Sequence, residues 1–97
     1  MWKVQEEMKV QRESVIERKC KLLAQQKGWF QVKIEKASVR GFPDRLFIRA
    51  GKTVYVEFKN EVGRLSDEQV RVIAQMREHG ADVYVISSME EANAIFS

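Results

Sequence analysis

Between Asp44 and Lys59 the chain alternates apolar and polar residues on either side of Gly51, and few folds accommodate that pattern. Side chains of a β-strand point to opposite faces in turn, so an alternating run interrupted by glycine reads as a two-stranded hairpin with one buried face. With Gly51-Lys52 as a two-residue type II′ loop, glycine first, Ala50 pairs with Thr53, Ile48 with Tyr55, Leu46 with Glu57 and Asp44 with Lys59. Asp44, Glu57 and Lys59 then share one face, and Val54, Val56 and Phe58 fill the other. A three-residue loop without a compensating bulge would break this parity, so the shared face is a specific expectation.

The flanking sequence supplies elements that could cover such a hairpin. A helix is expected from Gln5 or Arg12 to Gln26, stopped by Gly28 in the position of a left-handed cap. A half-buried strand follows over residues 29–35, with Phe30, Val32 and Ile34 set against polar Gln31 and Lys33, and then a basic loop to Phe42. After the hairpin and a second loop, Ser66 opens a helix carrying Val70, Ile73 and Ala74, with Gln69 at the capping-box position. That helix ends at His79-Gly80. Residues 82–86 read as a strand, and Ser88 with Glu91 opens a last helix through Ala92, Ile95 and Phe96. The order is αβββαβα. Hairpin-linked strands pair antiparallel, and the helix after Ser66 lets the last strand return parallel to a neighbour, giving an α/β fold with a mixed four-stranded sheet flanked by helices.

Composition fits one domain spanning 1–97, because 97 residues with 44% hydrophobic content, one proline and no linker or repeat leave little room for a second core. No apolar run approaches the length that spans a bilayer, and Met1-Trp2-Lys3 lacks the apolar core of a signal peptide, so an intracellular, cytoplasmic protein without membrane contact is expected. Cys20, the single cysteine, falls on the first helix's apolar stripe and reads as a core residue. His79 at a helix C-terminus reads as structural. Trp29 reads as core packing or as a dimer anchor, and Trp2 as a dimer anchor.

The shared face suggests metal chemistry. Mg²⁺ or Mn²⁺ takes hard oxygen ligands and retains waters, so two carboxylates and a substrate phosphate suffice to hold one. Asp44 and Glu57 supply the carboxylates, and the Phe58 carbonyl could add a neutral oxygen. Lys59, one strand repeat beyond Glu57, could orient a metal-bound water and offset charge on a scissile phosphate. Singly these pieces are ordinary: Asp after Pro often starts a turn, and Glu-x-Lys on a strand is often a solvated pair. Their common parity is what makes the combination informative. Residues 27–64 hold nine Lys/Arg against four acids, whereas residues 65–97 hold two against six, so the site-bearing part suits a phosphate backbone. Lys33, Lys36, Arg40, Arg45 and Arg64 are the candidate contacts, and Gln69 is either a helix cap or a side chain reaching DNA or a metal-bound water.

The runs Arg40-Gly41-Phe42-Pro43-Asp44-Arg45, Val56-Glu57-Phe58-Lys59 and Gly63-Arg64-Leu65-Ser66 with Gln69 resemble the VRR-NUC family of the PD-(D/E)XK nuclease superfamily. The likeness spans nearly the whole chain from about Arg12. It implies the restriction-endonuclease-like core αβββαβ, hydrolysis of DNA phosphodiesters with Mg²⁺ or Mn²⁺ and no organic cofactor, and, among small phage and bacterial members, homodimers that act on Holliday-junction-like DNA in replication and repair. Asp44 and Glu57 become metal ligands, Lys59 the catalytic lysine, and a glutamate of the first helix an outer or water-mediated ligand. Periodicity favours Glu13, which shares a stripe with Ile16, Cys20 and Leu23, over Glu17, which has Lys21 as an i+4 ion-pair partner. A non-catalytic nucleic-acid-binding module on the same fold, or a nuclease acting on RNA, would carry much the same residues.

Overall fold

The computed structural model describes residues 12–60 and 62–97. Trp2 and any helix from Gln5 lie outside them. The elements are α1 (Glu13–Gln26), β1 (Phe30–Lys33), β2 (Arg45–Arg49), β3 (Lys52–Phe58), α2 (Asp67–Glu78), β4 (Asp82–Ile86) and α3 (Met89–Phe96). This is the αβββαβα order expected from the sequence. The strands lie in the order β1-β2-β3-β4, antiparallel from β1 to β3 and parallel between β3 and β4. Because α2 connects that parallel pair, the mixed sheet follows from the connectivity.

The hairpin differs from expectation at its tip. Ala50 and Gly51 form the loop, at φ 50° and 80°, and Arg49 pairs with Lys52. Two left-handed central residues make this a type I′ turn, whose twist suits a tight hairpin even though Ala50 bears a Cβ. Tyr55 therefore pairs with Leu46 and Thr53 with Ile48, a displacement of two residues from the type II′ register. A shift of two preserves side-chain parity, so the face assignment survives while the partners change. Continuing the register by one residue beyond Arg45 and Val56 sets Asp44 opposite Glu57, in place of the expected pairing of Asp44 with Lys59.

One face of the sheet carries the main core. Phe47, Val54, Val56, Phe58 and Ile86 are fully buried there against Ile16, Cys20 and Ala24 of α1 and Ala92 and Phe96 of α3. Trp29 belongs to this core, its ring edge-on to Phe96 at 5.3 Å and its indole N–H donating to the Phe96 carbonyl. The thiol of Cys20 is wholly buried, and desolvation pushes it up to about 12, as befits a packing residue. The opposite face is covered over β4 by α2. There Val72 and Ile73 are buried with Val83, whereas Val70 and Ala74, expected on the packing stripe, are exposed.

β1 is shorter than expected and turned the other way. Phe30 is 65% exposed and Val32 39%. The helix α1 crosses the Gln31 side of this strand, where the Gln31 amide donates to the Lys21 carbonyl, so the apolar side of the alternation faces outward.

Candidate active site

Asp44 enters the site through a closely packed turn. Gly41, at φ 85°, lies so near the first turn of α2 that a Cβ there would meet the Glu68 carbonyl group at 2.7 Å and the Gln69 nitrogen at 2.8 Å. Only glycine permits both that dihedral and that approach. Phe42 then stacks edge-on against Tyr55 at 5.8 Å, Pro43 is buried, and the Asp44 carbonyl accepts from the Ile34 N–H at 2.8 Å. The Gly-x-Pro-Asp run thus docks a loop on α2 and delivers Asp44 at the start of β2. Its Oδ2 accepts from the Phe58 N–H at 3.0 Å, which ties the carboxylate to the strand that bears Glu57.

Glu57 is only 2% exposed although it faces away from the main core. Its Oε2 accepts from Gln69 Nε2 at 3.0 Å, while Oε1 is buried without a partner among the described residues. Desolvation, reinforced by the charge of Asp44 and by a proton the two carboxyls can share, pushes the Glu57 pKa up to about 8. Lys59 is half-buried and close enough for its charge to oppose that rise, while Glu13 adds to it. Two carboxyls, a lysine and a more distant third acid therefore act electrostatically on one spot.

The remaining candidates divide by position. Glu13 is exposed in the first turn of α1 and does not lean inward with Ile16 and Cys20; it sits at the rim. Glu17, expected to pair with Lys21, instead accepts from Arg45 Nε at 2.7 Å. Arg45 alternates to the face opposite Asp44 and is 7% exposed, so a residue expected to contact DNA is a buried partner of α1. Lys36 and Arg40 are exposed on the loop before Asp44, and Arg64 on the loop after Lys59. Lys33 lies elsewhere, in a shallow pocket of about 200 Å³ with Arg18, Lys21, Ser14, Glu17 and Arg45. Sequence reasoning misses Arg18 and Lys21 here. Their spacing with Ser14 and Glu17 marks one helical face, and the i+4 ion pair assigned to Lys21 conceals it. Gln69 takes the cap role, closing the capping box with Ser66, and its NH₂ donates to Glu57, a contact that neither alternative named.

The donor set suits a hard divalent cation. A buried carboxylate oxygen with no partner, pressed by a second carboxylate, is relieved by positive charge more directly than by any neutral ligand. Among the described residues no three His, Cys, Asp or Glu side chains form a ready cage, so a bound ion would retain waters or substrate oxygens.

Comparison with known proteins places the fold in a family. The VRR-NUC domain model matches residues 2–90. A solved structure described as a VRR_NUC domain superposes with a TM-score of 0.77 at 25% identity, covering 86% of this chain and 91% of that one. No curated protein matches the chain. With its family model spanning most of its length and its sheet matching that neighbour, the chain belongs to the VRR-NUC domain family and is a nuclease-fold domain.

Proposed function

We propose that the protein is a metal-dependent endonuclease that hydrolyses DNA phosphodiesters, with Asp44 and Glu57 holding Mg²⁺ or Mn²⁺ and Lys59 assisting. The observation that carries this reading is the unpartnered, buried Oε1 of Glu57 beside the Asp44 carboxylate. When bound, the ion would supply Lewis acidity towards a phosphoryl oxygen and make water a nucleophile at neutral pH. The chain's own groups do the rest. Asp44 is held by the Phe58 N–H, so it can ligate without reorganising. The ammonium of Lys59, close enough to oppose the rise in the Glu57 pKa, would orient the attacking water and balance negative charge on the phosphate. The Phe58 carbonyl is a neutral oxygen on the same strand, and exposed Glu13 can reach the ion through water. Lys36, Arg40 and Arg64, on the two loops that frame the acids, would hold the backbone on either side of the scissile bond.

Branched DNA of the Holliday-junction type is the proposed substrate and a homodimer the proposed assembly, since cutting two strands takes two sites and a chain of this size carries one. The test incubates branched, flap and linear DNA, with matched RNA competitors, in Mg²⁺, Mn²⁺ or Ca²⁺. Wild type should cut branched DNA with Mg²⁺ or Mn²⁺, and Asp44→Asn, Glu57→Gln and Lys59→Ala should not. Cutting that survives Glu57→Gln would refute the assignment. Binding without cutting in every metal would make the protein a nucleic-acid-binding module, and preferential cutting of RNA would move it to the other substrate.

A further inference from the structure

The amide of Gln69 can adopt only one orientation. Its Oε1 accepts from the Ser66 N–H at 2.9 Å, while its own backbone N–H donates to Ser66 Oγ at 3.1 Å. A backbone N–H cannot accept, so the oxygen must face Ser66 and the NH₂ must face Glu57 Oε2, which it reaches at 3.0 Å. Flipping the amide would set donor against donor at Ser66 and oxygen against carboxylate at Glu57. The capping box therefore acts beyond its helix. It aims a donor at one oxygen of Glu57 and leaves the other, Oε1, without a partner.

The same helical turn also registers the second acid. Gly41 packs on the backbone of Glu68 and Gln69, and Asp44 follows it through buried Pro43. Asp44 is thus held against the first turn of α2 by its loop, and Glu57 by the Gln69 side chain.

We infer that Gln69 is a positioning residue: through the Ser66 capping box it fixes the Glu57 carboxylate so that Oε1 faces the ion-binding position beside Asp44. The inference rests on the metal-site reading above. Gln69 need not touch DNA or metal, and its effect is exerted through Glu57. Outer partners that orient a ligand commonly govern metal affinity by about 10–100-fold.

The test separates helix capping from donation to Glu57. Gln69→Leu removes both, and Gln69→Met does so with an unbranched side chain of similar length. Ser66→Ala weakens the cap but leaves the Ser66 N–H to hold the amide. Mn²⁺ is titrated into each DNA-free protein at one pH, following the electron paramagnetic resonance signal of free Mn²⁺, and melting midpoints are measured alongside. All three variants should melt about 4–8 °C lower than wild type, the loss expected of a helix cap. Mn²⁺ affinity should fall about tenfold or more in both Gln69 variants and stay within about twofold of wild type in Ser66→Ala. Equal affinity in the Gln69 variants and Ser66→Ala would overturn the inference while leaving the metal site intact. Failure of wild type itself to bind Mn²⁺ would instead remove the metal-site reading, and the inference with it.

Discussion

Two ionisable side chains are buried on opposite faces of the same hairpin, and they are treated differently. On the face under α1, Arg45 is 7% exposed and meets Glu17 at 2.7 Å, an ion pair completed within the protein. On the other face Glu57 is 2% exposed, takes one hydrogen bond from Gln69, has its other oxygen unpartnered among the described residues, and feels the charge of Asp44. Burying a charge is costly unless a partner offsets it, and a fold selected only for stability would have no reason to put two acids together there. The completed pair holds α1 to the sheet. The incomplete one is the arrangement that the proposed cation would complete.

The largest effects should fall on the incomplete pair. Asp44→Asn or Glu57→Gln should reduce cutting about a thousandfold or more, the scale of several kcal/mol of lost metal assistance. Neither should lower the melting temperature, because each new side-chain amide keeps an oxygen in place of the carboxylate's. In the first variant that oxygen can still accept from the Phe58 N–H, and in the second from the Gln69 amide. A fall in both activity and stability would blur the contrast with Arg45.

Next is the dependence of stability on pH without metal. Glu57 ionises near 4.5 in the unfolded chain and near 8 in the folded one. Since its folded value is the higher, the unfolded state releases its proton first as pH rises. The metal-free fold should therefore lose on the order of 2–4 kcal/mol between about pH 4.5 and 8, and no more from this group beyond that. Denaturant titrations should show that slope in wild type and its absence in Glu57→Gln. Superimposable pH profiles would contradict the raised value.

The completed pair should respond in stability alone. Glu17→Ala leaves Arg45 buried without its anion and should cost roughly 2–3 kcal/mol, read as the shift of a chemical-denaturation midpoint. Arg45→Met should cost less, because the Glu17 side chain, 22% exposed, can turn to water. Cutting by the folded protein should be unchanged in both. An Arg45 variant that melts normally but binds DNA poorly would restore Arg45 to the nucleic-acid surface and end the comparison. Smallest is the tip shared by both faces, where Ala50→Gly should relieve a left-handed Cβ and stabilise by about 0.5–1 kcal/mol, with both pairs unaffected.

How much of this is legible in the sequence depends on whether the determinant is local. Strand parity is a local property, so the common face of Asp44 and Glu57 survives even the wrong turn type. The turn itself is hidden because alanine rarely adopts a left-handed φ, which makes glycine-first the more natural choice. The outward turn of Phe30 and Val32 depends on which side of β1 the helix crosses, and alternation alone carries no such sign. Glu17 has Lys21 four residues away but pairs with Arg45 from another strand; the buried partner wins because attraction strengthens as water is excluded. Gln69 presents a choice between cap and site because a sequence motif cannot show that one end of the amide closes the cap while the other donates to Glu57. Gly41 carries no signal beyond its place in the Gly-x-Pro-Asp run, since the helix it touches lies far along the chain.

The most direct test of the metal site is a crystal grown with Mn²⁺ and examined by anomalous scattering. The expected result is a single strong peak at coordination distance from an Asp44 carboxylate oxygen and Glu57 Oε1, with Oε2 still bonded to Gln69. A crystal saturated with Mn²⁺ whose density shows no ion between Asp44 and Glu57, or an ion bound elsewhere, would contradict the account.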